Sequence, residues 1–196
     1  VSVVGGTVQG ERHQHLVPGD FAQSTPNTNG ESGMGITIGG SSNVYVEGVT
    51  ITQCWGDGIY QGGGYGQSSN INVYSVVADD NRRQGMSIEN VNGMVIRDST
   101  FKNTLGAWPG AGIDIEPFAA AHVVTNVQIL NNQFNGNFSD GLLLENSDGT
   151  ITNITINDNT ANNNGYAGME LKKRGTGTTW SGNTFSGNAV FQFSAP

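Results

Sequence analysis

Asp114 and Glu116 stand two residues apart in the run Gly112-Ile113-Asp114-Ile115-Glu116. Glu89 holds the matching place in the run Gly85-Met86-Ser87-Ile88-Glu89. Carboxylates grouped in this way can do acid–base work: one stays protonated and gives its proton to a leaving oxygen, and the other stays ionised and acts as base or nucleophile. Hydrolysis of a glycosidic bond needs that division of roles. A strand sends alternate side chains to opposite faces, so Asp114 and Glu116 share one face and Ile113 and Ile115 the other. If the two runs are neighbouring strands, Glu89 and Glu116 lie roughly 5 Å apart at the backbone. Asp114 then lies diagonally from Glu89, roughly 7–8 Å away. The first spacing suits a retaining pair and the second an inverting pair, and the sequence leaves both open. Like charges this close raise one another's pKa, so at least one of them should titrate above the ordinary value of ~4.3.

Further residues fall around these acids. Glu145 follows Glu116 in the same column, and Asp57 lies at the edge of the face. Trp108 and Phe118 sit in the segments before and after Ile113–Glu116, and Tyr60 lies two repeats earlier. Flat apolar rings beside polar groups suit the faces of sugars. Arg83 enters the strand that carries Glu89, where a guanidinium can neutralise a substrate carboxylate or hold a catalytic acid ionised. Asp114, Glu116 and Glu89 are therefore the candidate catalytic groups. Tyr60, Arg83, Trp108, Phe118, Glu145 and Asp57 are the candidate substrate-binding groups. Lys172, Lys173 and Arg174 close the acidic column and balance it.

The elements that must hold these groups are announced by a repeat. Glycines at 35, 58, 85, 112, 141 and 168 each open a Gly-aliphatic-x-aliphatic segment, a spacing of 23 to 29 residues. A fixed period of this size with short strand-like cores means a solenoid. Each repeat carries a second alternating segment, as in Asn43-Val44-Tyr45-Val46 and Asn153-Ile154-Thr155-Ile156. A third segment ends in a small polar residue: Cys54, Asn81, Asn103, Asn137, Asn164 and Asn188. Three strands per repeat without helical periodicity predict an all-β parallel β-helix of about six to seven coils of ~27 residues. Stacked in a column, those asparagines can bond the backbone of the next coil. Residues 9–33, 61–69, 104–110 and 117–125 interrupt the period. Loops that break a regular solenoid commonly line its binding face, and two of these converge on Ile113–Glu116.

The totals fit this reading. With 196 residues the chain is predicted to be one domain, 1–196, and its start on the strand-like Val1-Ser2-Val3-Val4 fits a piece of a longer protein. Apolar residues make up 35%, but the 30 glycines and the many asparagines fall at fixed offsets, as turn residues do. The net charge of -8 makes nucleic acid and anionic membranes poor partners. No stretch approaches ~20 apolar residues, and the opening residues do not read as a secretory leader. One cysteine excludes an internal disulfide. No phosphate-binding Gly-x-x-x-x-Gly-Lys, Gly-x-Ser-x-Gly, His-Glu-x-x-His or cysteine pair occurs, so no cofactor is expected. His13 and His15 have the spacing of a metal pair but no third ligand, so no metal site is expected either.

The runs Gly5-Gly6-Thr7-Val8-Gln9-Gly10-Glu11-Arg12, Trp55-Gly56-Asp57-Gly58-Ile59-Tyr60, Asn81-Arg82-Arg83-Gln84-Gly85-Met86-Ser87-Ile88 and Ala111-Gly112-Ile113-Asp114-Ile115-Glu116-Pro117 resemble right-handed β-helix proteins of the pectate-lyase-like superfamily. Within it they are most similar to phage tailspike polysaccharide depolymerases. The resemblance implies a right-handed helix that is often a homotrimer, a polysaccharide substrate on an outward face, and an extracellular or virion-associated location. The Gly-His-Gly and Arg-Ile-Lys runs of polygalacturonases and the Asp-Pro-His-Glu run of alginate epimerases are absent. Three functions remain open. The first is a polysaccharide-degrading enzyme of the two-carboxylate glycoside hydrolase type acting on a capsule, O-antigen or exopolysaccharide, with a lyase on the same groove as its variant. The second is a non-catalytic carbohydrate-binding adhesin. The third is a structural stack of coils whose acidic face takes up divalent cations.

Overall fold

The computed structural model describes residues 1–14, 32–145 and 147–196. They form a parallel β-helix with three faces, each a seven-stranded sheet whose neighbours are hydrogen-bonded in parallel register. The third sheet matters most for function. Its strands are Ile36–Gly39, Ile59–Gly62, Met86–Ile88, Ile113–Ile115, Leu142–Leu144, Ala167–Leu171 and Phe191–Ser194.

The glycine column is a packing requirement. A Cβ placed on Gly112 would lie 2.5 Å from the carbonyl oxygen of Gly141, and one on Gly141 would lie 2.5 Å from that of Gly168. Adjacent coils approach so closely here that no side chain fits between them. The predicted alternation follows from this point. Ile113 pairs with Met86 and Leu142, Ile115 with Ile88 and Leu144, and all six join one hydrophobic core. Phe101 and Phe134 stack in that core with ring centroids 5.8 Å apart. Each such buried aliphatic or aromatic side chain contributes about 1.5–3 kcal/mol.

Corners between sheets are turned by left-handed residues. After the second-sheet strands these are Gln53, Asp80, Asn103, Gly136, Asn163 and Gly187. Asn, Asp and Gly tolerate positive φ best, which is why they recur there. The residue after each corner points inward and joins a ladder. Cys54 donates its N–H to Asn81 Oδ1 (3.0 Å), Thr104 to Asn137 (3.3 Å), Asn137 to Asn164 (3.0 Å) and Asn164 to Asn188 (3.0 Å). The expectation that Asn103 belongs to this ladder is corrected: Asn103 is the corner, its amide bonds the half-buried Asp79, and Thr104 takes the ladder slot. A second ladder that the sequence reading does not anticipate runs through Ser99, Asn132, Asn159 and Asn183 at the other corner. Both ladders satisfy backbone groups that the turns would otherwise orphan.

Candidate active site

The third sheet presents its outward face to the loops. Asp114 pairs with Ser87 and Leu143, on the side away from the core cluster. Glu116 follows: its N–H bonds the carbonyl of Ile88, as the N–H of Glu145 bonds that of Ile115 and the N–H of Lys172 that of Leu144. The column Glu89, Glu116, Glu145, Lys172 therefore exists as the alternation requires.

Its centre is a bonded network. The Arg83 guanidinium reaches Asp57 Oδ2 at 3.2 Å with one nitrogen and Glu116 Oε1 at 3.2 Å with another. Ser87 donates its hydroxyl to Asp57 Oδ2 (2.7 Å). Gln84 Nε2 donates to Asp114 Oδ2 (3.1 Å) and to Glu116 Oε1 (3.2 Å). Asp114 and Glu116 thus share one donor, and their accepting oxygens stand no more than two hydrogen-bond lengths apart. Asp57 and Asp114 are fully buried (0% exposed), whereas the Glu116 side chain keeps 16% of its surface in the groove. Asp114 faces outward yet is covered.

The electrostatics follow from this enclosure. Burial pushes the Glu116 carboxyl up to about 7, against the pull of Arg83. Burial and then the charge of Glu116 raise Asp114 well above the carboxylate range. Two carboxyls this close titrate as a pair and tend to hold one proton between them. Burial also raises Asp140 to about 6, partly opposed by the Ser139 hydroxyl. The Tyr60 phenol is pushed up by burial and by its hydrogen bond to Glu89.

Glu89 sits beside Glu116 in register, but its carboxylate turns to the preceding coil. There it accepts the N–H of Gly63 (2.5 Å) and bonds Tyr60. Glu145 pairs with Lys172 at 3.2 Å. The aromatic candidates stand at opposite ends of the face. Phe118 packs edge-on against His122 (centroids 4.7 Å), and a Cβ at Gly63 would run into the His122 ring. Trp108 packs edge-on against Phe138 (5.0 Å) and overlooks Asp140 and Glu170. Gln84, His122, Phe138 and Tyr166 escape the sequence reading; only Gln84 carries a signal, since it shares the column of Asp57 and Asp140. His13 pairs with Asp80 at 2.6 Å, and His15 lies outside the described residues. Among the described residues no three His, Cys, Asp or Glu side chains converge as a metal-ligand set.

Comparison with known proteins bears on the fold. A family model described as a right handed beta helix region matches residues 20–153 and 111–190. The Bacillus subtilis (strain 168) protein YclG is 30% identical over 174 residues, covering 82% of this chain and 29% of its own length. The SPbeta prophage-derived protein YorA of the same strain is 28% identical over 182 residues, covering 83% and 29%. The chain therefore spans under a third of those relatives. The crystal structure of pectate lyase Pel9A superposes with a TM-score of 0.55 at 14% identity, over 76% of this chain and 43% of that one.

Proposed function

Since the chain belongs to the right-handed β-helix family, with the coil architecture of pectate-lyase-like proteins, we propose that its third sheet is the cleavage groove of a polysaccharide-degrading enzyme of the glycoside hydrolase type. The substrate class is a bacterial capsule, O-antigen or exopolysaccharide, and an extracellular or virion-associated setting goes with it. One observation carries the reading. Glu116 reaches the groove, its carboxyl is raised to about 7, and a second carboxyl, Asp114, shares its hydrogen-bond donor. A carboxyl poised near neutral pH keeps about half its molecules protonated there and can deliver that proton to the leaving glycosidic oxygen.

In this reading Glu116 is the general acid. Asp114, whose Oδ1 has no hydrogen bond, is the second carboxylate. The shared donor keeps the pair close, on the side of the retaining spacing. Arg83 sets how far the Glu116 pKa rises and ties the pair to Asp57. Glu89 orders the Gly63 turn and Tyr60. Tyr60, Trp108 and Phe118 offer ring faces to the sugar chain.

Digestion products test this directly. Incubation with capsular, O-antigen and exopolysaccharides should release oligosaccharides with new reducing ends and no new ultraviolet absorbance. An unsaturated, absorbing sugar end would replace hydrolysis by elimination on the same groove. Binding without release from any of them would make the protein an adhesin.

A further inference from the structure

Beside the acid pair the face opens into a pocket of about 370 Å³, lined among others by Trp108, Phe138, Tyr166, Asp140, Glu170 and Lys172. That volume lies in the range of small-ligand sites. Its walls are aromatic: Trp108 is 50% exposed and braced edge-on by Phe138, and Tyr166 is braced edge-on by Phe191 at 5.6 Å. Its polar side is unfinished. Asp140 is 1% exposed, yet its Oδ1 has no hydrogen-bond partner, and Glu170 Oε2 meets only the Lys172 ammonium, at the ion-pair distance of 3.6 Å. A buried acceptor without a donor costs about 1–3 kcal/mol, so a ligand that brings donors is favoured there.

We propose that this pocket is a subsite for an uncharged pyranose ring and that it turns uronate residues away. Sugar hydroxyls are donors of the kind Asp140 Oδ1 lacks, and the C–H face of a pyranose suits the Trp108 and Tyr166 rings. A uronate brings a carboxylate among Asp140, Glu145 and Glu170. The single ammonium, Lys172, is already held by Glu145 at 3.2 Å and by Glu170 at 3.6 Å. A charge spent on two partners offers little to a third, and like charges in an enclosed site reject a ligand. The inference rests on reading the third sheet as a glycan groove and adds the substrate class.

Saturation-transfer NMR on the folded protein tests it. The probes are methyl glucoside and methyl galactoside, each beside its glucuronate or galacturonate counterpart. Both uncharged glycosides should bind, both uronates at least about tenfold more weakly, and Trp108→Ala should abolish the uncharged signal. Trp108 is half exposed, so that variant keeps the fold. The subsite is overturned if the uronates bind as well as their uncharged counterparts. It is equally overturned if neither uncharged glycoside binds, or if their binding survives Trp108→Ala. The two readings separate cleanly. Trp108-dependent binding with no polysaccharide cleaved sinks the enzyme and keeps the subsite. Cleavage of a polyuronate, undiminished by Trp108→Ala, sinks the subsite and keeps the enzyme.

Discussion

Glu116→Gln should lower turnover by about 10²–10⁴-fold, the span that a positioned general acid supplies. The amide can still accept from Arg83 and Gln84 through its oxygen, so the network around it keeps its shape. Stability should move the other way. The carboxyl ordinarily titrates at 4.5 and is raised to about 7 in the folded protein. A raised carboxyl binds its proton more tightly when folded. Its contribution to stability is therefore full below about 4.5 and is lost as pH climbs through about 7. Above that pH the native protein carries a buried charge that the Gln variant lacks. The variant should be more stable at pH 8 by on the order of 1–3 kcal/mol, and its stability should change less between pH 4.5 and 7. Urea unfolding across that range, beside kcat measurements, reads both effects. A variant that loses stability yet keeps its specific activity when folded would make Glu116 a structural carboxylate.

Arg83→Met should be the most damaging single change to the fold in this region. Asp57 is fully buried, and Arg83 bridges it to Glu116. Removing one member of a buried ion pair takes away the charge that balances the other, at a cost of up to roughly 3–5 kcal/mol, with the Ser87 hydroxyl still bonded to Asp57. For a domain of this size that lowers the melting temperature by on the order of 10 °C. Asp57→Asn added to Arg83→Met should recover part of the loss, because the buried charge that Arg83 balanced is gone. Arg83→Lys should fall between, since one ammonium cannot span two carboxylates as a planar fork does. The loss of Arg83 also removes the strongest influence holding Glu116 down, so its carboxyl should rise further. Thermal denaturation of the four proteins at pH 7 checks the order. A melting temperature for Arg83→Met within about 2 °C of the native value would mean that Asp57 is stabilised by other groups.

Much of this was legible because a solenoid turns sequence position into place. The glycine column marks where coils touch, and from Gly112 onward alternation puts Ile113 and Ile115 in the core and Asp114 and Glu116 on the outer face. The period says which residues are neighbours across coils, as with Glu89, Glu116 and Glu145. It does not say where a side chain turns. Glu89 bends back to Gly63 instead of toward Glu116, and the flexible Gln84 reaches forward to bridge Asp114 and Glu116. Asp114 faces outward and is still covered, because alternation fixes a face and not what lies over it. The Asn103 slot failed by one residue because the corner and the ladder position beside it both favour asparagine, one for its positive φ and the other for its amide. Phe138 and Tyr166 meet Trp108 and the Asp140 pocket from later coils, a convergence set by loop paths that no period describes.

The proposed function places glycan cleavage over Glu116 on the third sheet. A crystal structure of the Glu116→Gln protein with an oligosaccharide that the native protein releases is the sharpest test. The chain should lie along the third sheet, with a glycosidic oxygen within hydrogen-bond reach of residue 116 and a ring against Trp108. An oligosaccharide bound on the first or second sheet, or on the third with no glycosidic oxygen near residue 116, would contradict it.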